Sequence, residues 1–95
     1  MNARAVPVVL FCLGRIVATV NARDSLTQKD ILEGIRRHQA GDWGSLSEPD
    51  WAANDRGLVV GGRLVSRYYG ANGTKFWIIT EADRDFTTIL LPEDY

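Results

Sequence analysis

One cysteine, one histidine and three prolines are scattered through 95 residues, and these scarcities remove classes of chemistry. A lone Cys12 excludes an intrachain disulfide. With only His38 beside it as a nitrogen or sulfur donor, a four-ligand structural zinc site has no ligand set. An excess of basic residues is also missing. Eleven Lys and Arg against twelve Asp and Glu leave a net charge of −1, so the global attraction used by non-specific nucleic-acid binders is absent, while a local basic patch stays open. Long hydrophobic runs are lacking. The apolar stretch Val6 to Leu13, VPVVLFCL, falls far short of the roughly 20 residues that span a bilayer. Arg15 follows it too soon, and without a small-x-small cleavage site, for a secretory leader. Neither GGR nor GANG is a phosphate-cradling glycine loop, and the chain holds no internal repeat, low-complexity tract or linker.

What is present describes one folded domain. An apolar fraction of 45% and a charged fraction of 24% are those of an ordinary globular chain, expected to form a single α+β domain over residues 1–95, frayed at 1–4, in a reducing cytoplasm. VPVVLFCL reads as a buried strand with Cys12 an inert buried thiol. Gly14 marks a bulge or break before the β-branched Arg15 to Val20. Ser25-Leu26-Thr27-Gln28 has the form of a capping box and predicts a helix from about Leu26 to Gln39. Ile31, Leu32 and Ile35 form its apolar stripe, and Gly41 stops it. Leu46-Ser47-Glu48-Pro49-Asp50-Trp51 combines a serine cap, a first-turn proline and a Leu46–Trp51 staple. It predicts a second helix that runs to Arg56 or Val60 and ends at Gly61-Gly62.

From Arg63 the hydropathy period becomes two. Arg63, Arg67 and Tyr69 fall on one face and Leu64 and Tyr68 on the other, Ala71-Asn72-Gly73 turns the chain, and Thr74 to Thr80 returns as a strand. After the charged hexapeptide EADRDF, residues 87–91 form a last strand that Pro92 terminates. The predicted order is β-α-α-β-β-β, an antiparallel sheet with both helices packed on one face.

Three places carry candidate chemistry. At His38-Gln39-Ala40-Gly41-Asp42-Trp43-Gly44 a histidine, a carboxylate and an indole meet between the helices. They suit an acid/base or recognition loop, or else a helix end in which His38 donates to free carbonyls, Asp42 bonds local amides and Trp43 plugs the core. Arg56, Arg63, Arg67 and Lys75 with Tyr68, Tyr69 and Trp77 give the hairpin a basic and aromatic character suited to stacking bases and neutralising phosphates, or simply to a core and a solvated face. In EADRDF, the carboxylates Glu81, Asp83 and Asp85 surround Arg84 and can neutralise it within the loop. The carboxylates, with His38, show no spacing diagnostic of a metal site, and no cofactor is expected.

GRIVAT at 14–19, HQAGDWG at 38–44, DWAANDRGL at 50–58, GGRLVSRY at 61–68 and FWIITEADRDFTTILLPEDY at 76–95 together resemble a family of small plasmid-related proteins of bacterial mobile elements. Some of its members carry the label of a type I restriction endonuclease subunit M. That label conflicts with the residues, because binding a methyl donor and flipping a base take a much larger domain and a nucleotide loop absent here. The chain departs from the family at Val20-Asn21-Ala22-Arg23, where Pro-Gly-Ala-Leu is usual, and at Asp85, where serine is common. The resemblance implies company on mobile DNA, where small near-neutral proteins block host defences by occupying a surface. The expected function is therefore a non-enzymatic protein-binding module of anti-CRISPR or anti-restriction type, contacting its partner through Asp42, Trp43, Arg67 and Arg84. The alternatives are a small RNA-cleaving toxin using His38 and a nucleic-acid-binding sheet.

Overall fold

The computed structural model describes residues 8–95. In chain order the elements are strand β1 (Arg15–Ala18), helices α1 (Val20–Ser25), α2 (Gln28–Gln39) and α3 (Glu48–Val60), and strands β2 (Leu64–Tyr69), β3 (Lys75–Thr80) and β4 (Phe86–Leu90). A 3-10 turn (Pro92–Asp94) closes the chain. The four strands lie in the order β1-β4-β3-β2. Pairing is antiparallel from β2 to β3 and from β3 to β4, and parallel between β1 and β4. The α+β class holds, but the sheet is mixed rather than wholly antiparallel, and one more helix is present than the sequence suggests. No hairpin links β1 to β4; nearly the whole domain separates them, and that long connection permits the parallel pairing.

The additional helix is α1. RIVATV reads as strand through Val20, yet the chain turns at Thr19, whose hydroxyl oxygen accepts from the Ala22 amide at 3.1 Å and caps a six-residue helix. The capping box of α2 lies two residues later than Ser25 to Gln28. Thr27 accepts from the Asp30 amide, and the Asp30 carboxylate accepts from the Thr27 amide, both at 3.0 Å. Leu26 is thereby freed to turn into the core, where it is 7% exposed. The buried face of α2 also differs from the expected stripe, since Leu32 is 58% exposed and Ile31, Gly34, Ile35 and His38 face inward instead. Gly34 allows the close approach: a Cβ there would stand 2.9 Å from the Phe76 ring. The main core joins Ala22, Leu26, Ile31 and Ile35 of the helical layer to Tyr68, Phe76, Ile78, Ile89 and Leu91. The Ser47 cap and Pro49 start α3 as read, and Gly61, at φ +83°, ends it.

Within VPVVLFCL, Val6 and Pro7 lie outside the described residues, and Val8 to Leu13 form no strand. Val8, Val9 and Leu10 are more than half exposed and Cys12 is exposed, so the expected buried strand and buried thiol are both overturned. RIVA already fills the place beside β4. The apolar run instead crosses the end of α2, where the Leu10 amide donates to the Gln39 backbone carbonyl at 2.9 Å and the Gln39 side-chain Nε2 donates to the Phe11 carbonyl at 3.2 Å. Alternation then turns Phe11 and Leu13 inward and Leu10 and Cys12 outward. No helix of the described residues is long and apolar enough to cross a membrane.

The outer edge of β2 is closed by side chain and loop. Asn54 of α3 accepts from the Val65 amide at 3.1 Å and donates to its carbonyl at 2.7 Å, standing in for a neighbouring strand. Two residues on, the Arg67 amide donates to Trp43 O at 3.0 Å, and the Ser45 amide donates to Arg67 O at 2.9 Å. Gly44 permits this crossing, because a Cβ on it would overlap the Arg67 carbonyl. Such an edge cannot recruit a further strand. Asn54→Ala removes both substitute bonds at a position 5% exposed and is expected to lower unfolding free energy by about 2–3 kcal/mol, read as a shift of the urea midpoint at unchanged slope.

Candidate functional site

His38 lies on the inner face of α2, wholly buried, and its imidazole joins a hydrogen-bonded chain that runs across the sheet. Ser66 Oγ is 2.5 Å from Nδ1, and Thr80 Oγ1 is 2.9 Å from Nε2. Thr80 Oγ1 is 2.7 Å from Thr87 Oγ1, and Thr87 donates to the Leu13 carbonyl at 2.7 Å. That last carbonyl can only accept, which sets the direction of every bond before it. Thr87 spends its proton on Leu13 and so accepts from Thr80. Thr80 accepts from the imidazole, so His38 carries its proton on Nε2, and Nδ1 accepts from the Ser66 hydroxyl. Phe11 lies edge-on to the ring at 5.1 Å, and Trp43 does so at 5.5 Å.

Burial, with a smaller contribution from the Arg84 charge, pushes the His38 pKa from 6.5 down to about 3. A neutral imidazole sealed from solvent has no substrate to serve. The acid/base role considered for His38 is therefore replaced by a structural one, and the expected donation to helix-end carbonyls is also absent, because both ring nitrogens are engaged by hydroxyls.

The four expected contact residues fall in different places. Trp43 is fully buried and donates from Nε1 to Asp55 at 3.0 Å; it plugs the core and offers no exposed surface to a partner. Asp42 bonds the Arg37 guanidinium with both oxygens, at 2.7 and 3.3 Å. That interaction holds its carboxyl below the usual range, and its backbone carbonyl accepts from Tyr68 Oη at 2.5 Å. Arg84 is not neutralised by the carboxylates around it. Its backbone adopts φ +63°, and its guanidinium donates to the carbonyls of Gly57 at 3.1 Å and Gly62 at 2.6 Å, and to its own loop at Glu81. A cation at the carbonyl end of α3 complements the helix dipole. Only Arg67 remains exposed and without a carboxylate within 4.0 Å among the described residues.

Arg67 belongs to a group that register assembles. It stands opposite Trp77, and Tyr69 stands opposite Lys75, so two cations and two aromatics alternate diagonally on the sheet face turned away from α2. The Arg67 guanidinium lies 5.0 Å from the Trp77 ring centre. Tyr95 meets Trp77 edge-on at 5.3 Å, and Arg63 donates to the Tyr95 hydroxyl at 3.0 Å. Arg63 is matched by Glu81 at 3.6 Å, whereas Lys75, like Arg67, has no such match among the described residues. A cleft of about 270 Å³ opens between Arg67, Tyr69, Lys75, Trp77, Ser45 and Pro92. Strand alternation in the sequence already placed Arg67 and Tyr69 on one face. The contribution of Lys75 and Trp77 follows from hairpin register, while Tyr95 enters only because the 3-10 turn folds back across β3. Among the described residues no three His, Cys, Asp or Glu side chains cluster as metal ligands would.

No family model matches the chain, and neither a curated protein nor a solved structure does.

The lone histidine makes the buried chain measurable. An unfolded imidazole titrates near 6.5 and the folded one near 3, so below pH 6.5 the unfolded state binds the extra proton. The stability present in full above that pH is lost as pH falls toward 3. Between pH 6.5 and 4.5 the loss is about 2 kcal/mol. Urea titrations across that window are expected to show this slope in the natural chain and to lose it in His38→Gln.

Proposed function

We propose that the chain is a non-enzymatic binding module of a bacterial mobile element that docks on another protein through the Arg67, Tyr69, Lys75 and Trp77 block, obstructing a surface of a host defence complex. The observation that carries this reading is the block itself: exposed cations without carboxylate partners among the described residues, interleaved with aromatic rings and mounted on paired strands. Rigid aromatics lose little entropy on contact, and arginine adds planar, directional donors, a combination that favours recognition. The partner it suits is an acidic surface with aromatic or other planar groups to receive the rings. The resemblance of residues 14–95 to plasmid-related proteins supports the mobile-element setting. The burial of His38 leaves a His38-dependent ribonuclease toxin without its acid/base group.

A second reading rests on the same rings. Aromatics between unpaired cations also suit a single strand of RNA or DNA, with bases stacked on Trp77 and Tyr69, although the net charge of −1 withholds long-range attraction.

The readings separate in one set of measurements. Binding to purified defence complexes and protection of a plasmid in a restricting host are both expected to fall at least tenfold in the Arg67→Glu, Lys75→Glu double variant, with circular dichroism unchanged. A double variant that binds and protects like the natural chain overturns the assignment. Affinity for single-stranded oligonucleotides that falls steeply with salt, without binding to any defence complex, selects the nucleic-acid reading instead.

A further inference from the structure

The two edges of the sheet are treated differently. Along β1, the Arg15 amide donates to Asp85 O at 2.8 Å and the Thr19 amide to Ile89 O at 3.0 Å. Backbone groups alternate in direction along a strand. Arg15, Val17 and Thr19 therefore face β4, and the N–H and C=O groups of Ile16 and Ala18 point outward. Among the described residues no backbone group pairs with that outward edge. Ile16, Val17 and Val20 beside it are 47%, 38% and 62% exposed. The edge carries no inward-pointing lysine, proline or bulge of the kind that keeps other strands away, although its four residues are few.

We infer that this edge pairs with β1 of a second copy of the chain, antiparallel about a two-fold axis at Val17, joining two four-stranded sheets into one of eight. Register and charge select this occupant. With Val17 on the axis, Ile16 faces the partner's Ala18, so every outward backbone group on either copy finds a mate, and Val17 packs against the partner's Val17. Arg15 then faces the partner's Thr19, with both side chains on the same face of the joined sheet. The Thr19 hydroxyl donates to Asp94 Oδ2 at 2.6 Å, and Asn21 donates to Oδ1 at 2.7 Å. A fixed carboxylate therefore waits where Arg15 arrives. Arg15 has no ion pair of its own among the described residues.

An axis at Ile16 sets Arg15 against the partner's Val17 rather than Thr19, and an axis at Ala18 sets Ile16 against the partner's Val20, which lies in α1 and cannot continue the ladder. The cation lies at one end of β1 and the anion at the other, so a two-fold related copy satisfies both contacts at once, the self-complementarity of an isologous interface. The inference does not rest on the proposed function. The Arg67 block lies at the β2 side of the sheet and stays open in the pair, which then presents two such blocks on one face.

Sedimentation equilibrium and light scattering on the full chain test it. The expected result is a concentration-dependent rise to twice the chain mass, with slowed hydrogen exchange at the Ile16 and Ala18 amides in the associated form. Val17→Lys sets two ammonium groups at the axis and is expected to give a monomer with unchanged circular dichroism. Arg15→Glu, which opposes Asp94, is expected to weaken association about tenfold, with the salt dependence of the natural pair lost. A chain that stays monomeric up to its solubility limit overturns the inference. So does a dimer that both variants leave intact while the Ile16 and Ala18 amides exchange freely.

Discussion

A neutral imidazole held between two hydroxyls ties the layers of this domain together. Ser66, Thr80 and Thr87 are fully buried on the helical side of three different strands, and each hydroxyl left without a partner there costs about 1–3 kcal/mol. His38 offers one donor and one acceptor in fixed directions, and the Leu13 carbonyl supplies the terminal acceptor, so the whole chain is satisfied in a single arrangement. Among the described residues no buried side-chain nitrogen or oxygen lacks a partner. Trp43 and Phe11 shield the ring from water, which strengthens the bonds and also keeps the imidazole uncharged. Position along α2, strand register and the path of residues 8–13 all depend on this one line of protons.

Much of the chain's polar chemistry is spent on similar fastening. Asp30 closes the capping box of α2 and also accepts from the Ala71 amide at 3.0 Å, binding the helix start to the β2–β3 turn. Arg84, in a backbone conformation that L-residues adopt at a cost of about 1–2 kcal/mol, gathers the free carbonyls at the end of α3. Asp94 joins the C-terminal turn to Thr19 and Asn21. With these groups committed, Arg67 and Lys75 of the hairpin stand out as exposed cations with no carboxylate partner among the described residues. Asn54 and the Trp43–Ser45 crossing guard one sheet edge, and nothing equivalent guards the other among the described residues.

The legible parts of the fold are those whose cause is local. Ser47 and Pro49 start α3 by bonds and dihedrals contained within one turn, and the alternation from Arg63 onward describes a strand whichever neighbours it has. The illegible parts depend on competition between segments. VPVVLFCL is as suited to a strand as RIVA, but only one can lie beside β4. α1 is too short to announce itself by periodicity, and its Thr19 cap sits inside β-branched sequence. The candidate site divides in the same way. The common face of Arg67 and Tyr69 is a matter of period, whereas the burial of Trp43 and the anchoring of Arg84 are matters of which surfaces meet.

By itself the sequence determined an α+β domain, the α3 cap, the hairpin with its two faces, and the lack of a disulfide or structural zinc ligand set, because composition, capping and strand period act over a few residues. Only the tertiary structure decided that β1 runs parallel to β4, that His38 is a buried neutral link rather than an acid/base, and that of the four expected contacts Arg67 alone is exposed without a carboxylate partner among the described residues. Those outcomes depend on desolvation and on pairings between residues far apart in the chain, and neither is encoded in any local window.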